Sequence, residues 1–561
     1  MTAAARPVST LDEISARFWE DTLRLSPTTA TMYGDPRYDD RLDDPSPAGR
    51  AAARALAERV GREAAAVPEA GLSVEDRITR DMLIVLSGLA IEEDDLGFHE
   101  LRVADQIGGP QTILAQVAQF QPADTPERLE VYLARLRAYG PYMDAQVQVV
   151  HEALASGRTA ARIVAERTIQ QLERVLAVPI EEAIVPALSR VASEADRERV
   201  RDVVRDVVYP ADRRFLDALR GDYLAATREA PGLRSAPDGE ALYRHAIRTW
   251  TTLDMAPEDV HRVGLDELAA IDEERRAISR QAGFHDDTHA YRRSLDADPA
   301  NQPGSPQELI SHATAHLERA MRVAPRVFGR LPRAACEVRP VEAFKERDAP
   351  FAYYYPPAID GARPGIFYVN THDLPSRTFS KLAAVSFHEA VPGHHFQISL
   401  EMEHPSLNAF RRLGSRMVGS AYAEGWGLYS ERLADELGLY DSQAERFGML
   451  DAQAWRASRL IVDSGLHGLG WTRRQAIEWL LETGLSETDA VIETDRYIGW
   501  PGQALSYMTG MREIRRLRRE LEAREGAALD LRVFHDQLLG HGALPLATLA
   551  RELPNWVSAR A

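Results

Sequence analysis

Apolar residues recur at the three- and four-residue steps of a helix through most of this chain, and one stretch, 336 to 371, breaks the rhythm. Together these patterns predict a mostly helical body with a small β-sheet. Thr10 and Glu13 have capping-box spacing ahead of Ile14, Phe18 and Leu23, and Thr472 and Gln475 repeat it before Ile477, Leu480 and Leu481. Thr125-Pro126-Glu127 opens a helix whose Leu129, Tyr132, Leu133 and Leu136 share one buried face. The Arg- and Glu-rich stretches around 191–206 and 512–525 read as solvated helix faces. Between Cys336 and Thr371, β-branched and aromatic residues cluster among Pro and Gly, with Ile366-Phe367-Tyr368-Val369-Asn370 the clearest strand. Tyr368 and Asn370 are therefore expected at an edge that pairs with extended substrate.

The densest chemistry follows. The helix-like stretch from Ser380 to Phe387 runs into His388-Glu389-Ala390-Val391-Pro392-Gly393-His394-His395-Phe396-Gln397. A His-Glu-x-x-His helix turns two imidazoles to one face, where both reach a zinc ion and the Glu faces its water. Here Pro392 stands at the fifth position. On an unbroken helix His395 would share the face of His388 but lie about 10.5 Å along the axis, a poor chelate. Pro392 lacks an N–H and Gly393 tolerates unusual dihedrals, so a bulge or kink is expected. A bulge that absorbs two residues favours His394 over His395 as the second ligand.

A catalytic zinc takes three protein ligands and keeps one position open. Glu424 is the first choice for the third, and Glu431, seven residues on, occupies nearly the same helical face. One of the two would bind metal and the other orient a ligand imidazole. Tyr507 and His467 are candidates to stabilise an oxyanion, Arg496 suits a substrate carboxylate, and Gln503 lies in the same polar and aromatic run.

Leu25-Ser26-Pro27 with Gly34, Tyr353 to Pro357, Arg363 to Asn370, the 388–397 run, Glu424-Gly425-Trp426, and Pro501-Gly502-Gln503 with Tyr507 span most of the chain. In these segments it resembles the bacterial domain of unknown function 885 family, grouped with zinc-dependent peptidases. That family is similar in turn to helical oligopeptidases of the thimet and angiotensin-converting type, with the signature His-Glu-x-Gly-His. Gly393-His394 falls on its Gly-His, which again favours His394. The resemblance implies a zincin-like fold and peptide hydrolysis, with a longer spacing between the first two histidines than the signature has.

Bulk properties narrow the reading. The 561 residues, 45% hydrophobic, provide ample core, and no linker or low-complexity tract divides them. Two lobes around a deep channel are expected, residues 1–245 forming an N-terminal helical lobe and 246–561 a catalytic lobe with the sheet, in one continuous unit. A net charge of −18 argues against nucleic acid as a partner. Cys336 is the single cysteine, no apolar run reaches membrane-spanning length and the first residues lack a signal-peptide core, so a cytoplasmic location is expected.

The reading that joins these features is a zinc hydrolase acting on short peptides. His388, His394 and Glu424 hold Zn²⁺, Glu389 is the general base, and Tyr507 and His467 stabilise the oxyanion. An amidase or esterase acting on a peptide-like small molecule is the first alternative. A helical binding protein with an inert site is the second.

Overall fold

A computed structural model of the chain describes residues 9–558 apart from 181–190, 192, 343–345, 347–348, 359–362 and 415–416, and gives the backbone alone for 414 and 527. Helices carry most of the described residues, and three short strands form one sheet.

Local chemistry sets the helix ends. Helix α1 (Thr10–Leu25) begins after Ser9, whose hydroxyl accepts from the Asp12 N–H while the Asp12 carboxylate accepts from the Ser9 N–H. The capping box thus lies one residue before the expected Thr10–Glu13 pair, because Ser9 has the extended backbone a cap requires and Thr10 is already helical. Helix α2 (Pro126–Ser156) opens at Thr125, with Pro126 in the first turn, where the missing N–H has no helical partner to lose. Helix α3 (Pro257–Gln281) follows further along the chain.

The sheet holds β1 (Cys336–Pro340), β2 (Ala352–Tyr355) and β3 (Gly365–Val369) in the order β1-β3-β2. β3 is the strand expected near Ile366–Asn370. It is the central one, parallel to β1 and antiparallel to β2. Its backbone donors and acceptors are used on both sides, so the expected pairing of substrate with this strand is corrected: no edge remains to receive a peptide.

Among the remaining helices, seven surround the site: α4 (Phe379–Glu389), α5 (His394–Met402), α6 (Ala421–Glu436), α7 (Gln443–His467), α8 (Arg473–Thr483), α9 (Glu487–Gly499) and α10 (Ser506–Glu525). α8 starts with the Thr472–Gln475 capping box that the sequence predicts. α3 packs along α7, and α6 along α10. The α6–α10 crossing is held at backbone contact by two glycines. A methyl on Gly425 would lie 2.4 Å from Gly510, and one on Gly510 would lie 1.8 Å from the Ala421 carbonyl oxygen. This approach brings the first turn of α10 against the first turn of α6.

Packing does not divide at 245/246. The largest core joins residues between Leu11 and Leu101 to residues between Leu233 and Val557, whereas Val103 to Tyr223 form a second core closed by residues from Val462 to Ala504. The first helix belongs with the C-terminal half because its buried face meets that half directly, as in the edge-to-face contact of Phe18 with Phe410 at 5.5 Å. A small third core lies between the sheet and α4. No described helix is long and apolar enough to cross a membrane.

Candidate metal centre

The Pro-Gly step separates two helices where a bulge within one was expected. α4 ends at Glu389, Ala390 leaves helical geometry (φ −99°, ψ −101°), the Val391–Pro392 peptide is cis, and α5 starts at His394. A side chain at 393 has no room, since a methyl on Gly393 would sit 1.8 Å from the His388 carbonyl oxygen. Trp426 fixes the connection from the other side. Its indole N–H donates to the carbonyls of Pro392 at 2.9 Å and Gly393 at 3.1 Å. The Glu424-Gly425-Trp426 motif therefore supplies a carboxylate, a helix crossing and a clasp on the loop in three consecutive residues.

The turn delivers His394 to the neighbourhood of His388. One donor atom each from His388, His394 and Glu424 lie within 4.8 Å of one another, the one such group of His, Cys, Asp and Glu among the described residues. Glu424 Oε2 is 3.4 Å from His388 Nε2 and 3.6 Å from His394 Nε2, and the two rings stand nearly perpendicular with centroids 4.8 Å apart. Ligands at zinc distances of about 2.0–2.1 Å in a tetrahedron are separated from one another by about 3.4 Å. Two imidazoles and a carboxylate fit such an ion in donor type, and the separations of Glu424 from each imidazole fit it in spacing.

The surroundings orient His388 more firmly than His394. Glu431, almost fully buried, accepts from His388 Nδ1 at 2.9 Å, which leaves Nε2 to face Glu424. Gln453 of α7 in turn donates to Glu431 at 3.5 Å, a long contact. The His388 ring also lies close against α6 at Gly427, where a methyl would come within 2.7 Å of it. The sequence reading passed over Gly427; its signal is a glycine inside a strongly helical segment, one turn from a candidate ligand. His394 Nδ1 is buried without a hydrogen-bond partner, so that ring has no counterpart of Glu431 behind it and is held by packing and by Glu424 at its Nε2.

Charge is concentrated here. Burial disfavours a charged His388, but hydrogen bonds to Glu424 and Glu431 outweigh it and raise its pKa to about 10. Burial likewise works against ionised Glu424, yet its bonds to His388 and His394 hold the carboxyl well below the usual range. Glu389 moves the other way: burial raises its pKa, and the nearby His394 and His388 offset only part of that rise. The Tyr507 ring stands 6.5 Å from the His388 ring, over the guanidinium of Arg459 at 4.3 Å, and burial raises the Tyr507 pKa.

The other expected site residues have different surroundings. His395 points away from the cluster, bonding Tyr354 Oη at 2.9 Å and the Ala334 carbonyl at 3.1 Å, and so ties α5 to the sheet. His467 is corrected to a structural role. Its Nδ1 accepts from the Leu233 N–H at 3.1 Å and its Nε2 donates to the Tyr497 carbonyl at 3.0 Å, leaving no donor for an oxyanion. Arg496 pairs with Glu493 at 2.8 Å and donates to Gln503, so two expected substrate contacts bond to each other. Gly502, in the left-handed region at φ 81°, makes the turn that places Gln503, and its N–H donates to Asp463. Asn370 is buried and its amide donates to the carbonyls of Glu346, Ala349 and Pro350, a loop clasp instead of a substrate contact. Tyr368 stacks on Tyr353 across the sheet at 5.0 Å.

Known structures share this architecture. A protein from Colwellia psychrerythraea described as a "putative lipoprotein" superposes with a TM-score of 0.90 at 27% identity, over 98% of this chain and 100% of that one. A second, a "putative lipoprotein of unknown function" from Shewanella oneidensis, has a TM-score of 0.76 at 19% identity over 97% and 99% of the two chains, a likeness of fold. No curated protein matches the chain. The model of a family described as bacterial protein of unknown function (DUF885) matches residues 27–553, nearly the whole length. The chain belongs to the DUF885 family.

Proposed function

We propose that this protein is a zinc-dependent hydrolase that cleaves peptide bonds in short peptides, a zincin-like relative of the thimet and angiotensin-converting oligopeptidases. The observation that carries the reading is the convergence of His388, His394 and Glu424, from three separate helices, at 3.4 and 3.6 Å about one carboxylate oxygen. Zinc held by these residues supplies Lewis acidity, polarising a carbonyl and lowering the pKa of water.

The chain's own groups do the rest. Glu389, next to His388 at the end of α4, accepts a proton from the attacking water and returns it to the leaving amine. Its raised pKa suits a group that must both take and give a proton. Tyr507 is aimed at the developing oxyanion, its ring held over Arg459. Glu431 fixes the His388 ring. A channel between two helical lobes admits short peptides and excludes folded proteins. We place the protein in the cytoplasm on its single cysteine, Cys336; the description of the Colwellia psychrerythraea protein as a "putative lipoprotein" favours the cell envelope, and fractionation decides between them.

The test is digestion of a mixed peptide pool by the zinc-loaded full chain, read by mass spectrometry. New termini at peptide bonds are expected. Hydrolysis confined to small acyl-amides or esters would move the activity to another bond, and no hydrolysis together with no zinc would leave a binding protein.

A further inference from the structure

Three residues of α7 stand at steps of three, Gln453, Arg456 and Arg459. At about 100° per residue, Arg456 lies midway in azimuth between the other two. Both neighbours are anchored to the site. Gln453 contacts Glu431 behind His388, and Arg459 lies 4.3 Å beneath the Tyr507 ring. Arg456 thereby stands on the face of α7 shared by these two anchors, and its charge acts on both Glu389 and Tyr507.

Arg459 and Arg496 both pair with Glu493, at 3.2 and 2.8 Å. Arg456 pairs with no carboxylate among the described residues. Its Nη1 donates to the Ala452 carbonyl at 3.2 Å and its Nε is buried without a partner. The guanidinium stacks 4.6 Å from the Trp455 ring, whose indole also contacts Arg459 at 4.4 Å. A stacked guanidinium is held in one plane, ready for the planar recognition of a carboxylate. A half-buried positive charge with no carboxylate in contact among the described residues is costly, and an anion from outside relieves the cost.

We propose that Arg456 binds the free α-carboxylate of the substrate, so that the enzyme acts near the carboxyl end of peptides. This rests on the hydrolase reading and assigns to Arg456 the role the sequence suggested for Arg496. With the chain end held at Arg456, the scissile carbonyl close to the carboxyl terminus falls between Glu389 and Tyr507. Cleavage then adds water across one amide, releasing a short carboxyl-terminal fragment and leaving a new carboxylate on the remainder.

The test uses the zinc-loaded full chain and one pool of mixed pentapeptides prepared as free acids and as carboxyl-terminal amides. Mass spectrometry reads cleavage, and competition calorimetry on Glu389→Gln reads binding. Free acids are expected to be cleaved near their carboxyl ends and to bind roughly 10- to 100-fold tighter than amides, the worth of a hydrogen-bonded charge. Arg456→Met should abolish the difference by weakening acids alone, and Arg456→Lys should restore part of it; a general loss of structure would weaken both pools. Equal cleavage or equal binding of acids and amides overturns the carboxylate anchor while the hydrolase stands. If neither pool is cleaved, the hydrolase reading fails; an acid preference in binding that Arg456→Met removes still supports the anchor, and no preference overturns it.

Discussion

Glu431 accepts a hydrogen bond from Nδ1 of His388 at 2.9 Å, and the same imidazole turns Nε2 toward Glu424 at 3.4 Å. Two carboxylates seven residues apart on one helix thus grip the two nitrogens of one ring. Glu424 is left facing His394 as well, and Glu431 is buried behind.

Glu431→Gln tests that division of labour. The amide keeps the size of the side chain but gives up the charge that orients and strengthens the imidazole. Zinc affinity is expected to fall about 10- to 100-fold. Chelator competition measures it, and a loss as complete as that of Glu424→Ala would make Glu431 a ligand itself.

Gly427→Ala asks whether the ring needs its bed. Alanine is the better helix former by up to about 1 kcal/mol, so propensity alone predicts a more stable helix. The added methyl, 2.7 Å from the His388 ring, opposes this. Lower zinc affinity with no gain in melting temperature is the expected result; unchanged affinity with a higher melting temperature would mean that the ring yields freely.

Glu389→Gln should keep zinc and lose turnover by about 10²- to 10⁴-fold, the usual contribution of a positioned general base. Metal content and peptide cleavage measured on one preparation separate the two effects. Full activity in this variant would remove Glu389 from proton transfer.

A buried carboxyl away from the cluster makes stability depend on pH. Burial raises Asp463 to about 7 despite hydrogen bonds from the Tyr243 hydroxyl and the Gly502 N–H. Below pH 4 it is protonated both folded and unfolded; between about 4 and 7 only the unfolded chain gives up the proton. Its contribution is therefore full below pH 4 and lost as pH rises through 7, with a slope of up to about 1.4 kcal/mol per pH unit. Asp212, raised to about 7 by burial, adds a loss of the same sign. Denaturant titrations at pH 5, 6 and 7 should show a shallower decline for Asp463→Asn; an identical slope would mean that Asp463 is ionised in the folded protein.

Much of this was legible in the residue order, and the rest shows where local pattern stops. The helix starts beside Ser9, Thr125 and Thr472 and the strand at 366 are written in short-range chemistry, so sequence located them to within a residue or so. The preference for His394 was legible too, because Pro and Gly act on the backbone directly. Which strand is central depends on partners about thirty residues away at Cys336–Pro340 and eleven to seventeen away at Ala352–Tyr355, and periodicity carries no such information. His467, Arg496 and Asn370 are polar residues that looked equally suited to bonding substrate or backbone. The fold spent them on the Tyr497 carbonyl, Glu493 and a loop, contacts that only the tertiary structure reveals. Arg456 was invisible for the opposite reason: its significance lies in having no ion-pair partner among the described residues.

Metal analysis of the purified full chain tests the central claim most directly. After exposure to zinc and removal of excess, the wild type should hold about one ion per chain, and His388→Ala, His394→Ala and Glu424→Ala should each hold about a tenth or less under the same conditions. Retention of a full equivalent by all three folded variants, or failure of the folded wild type to take up any, would contradict it.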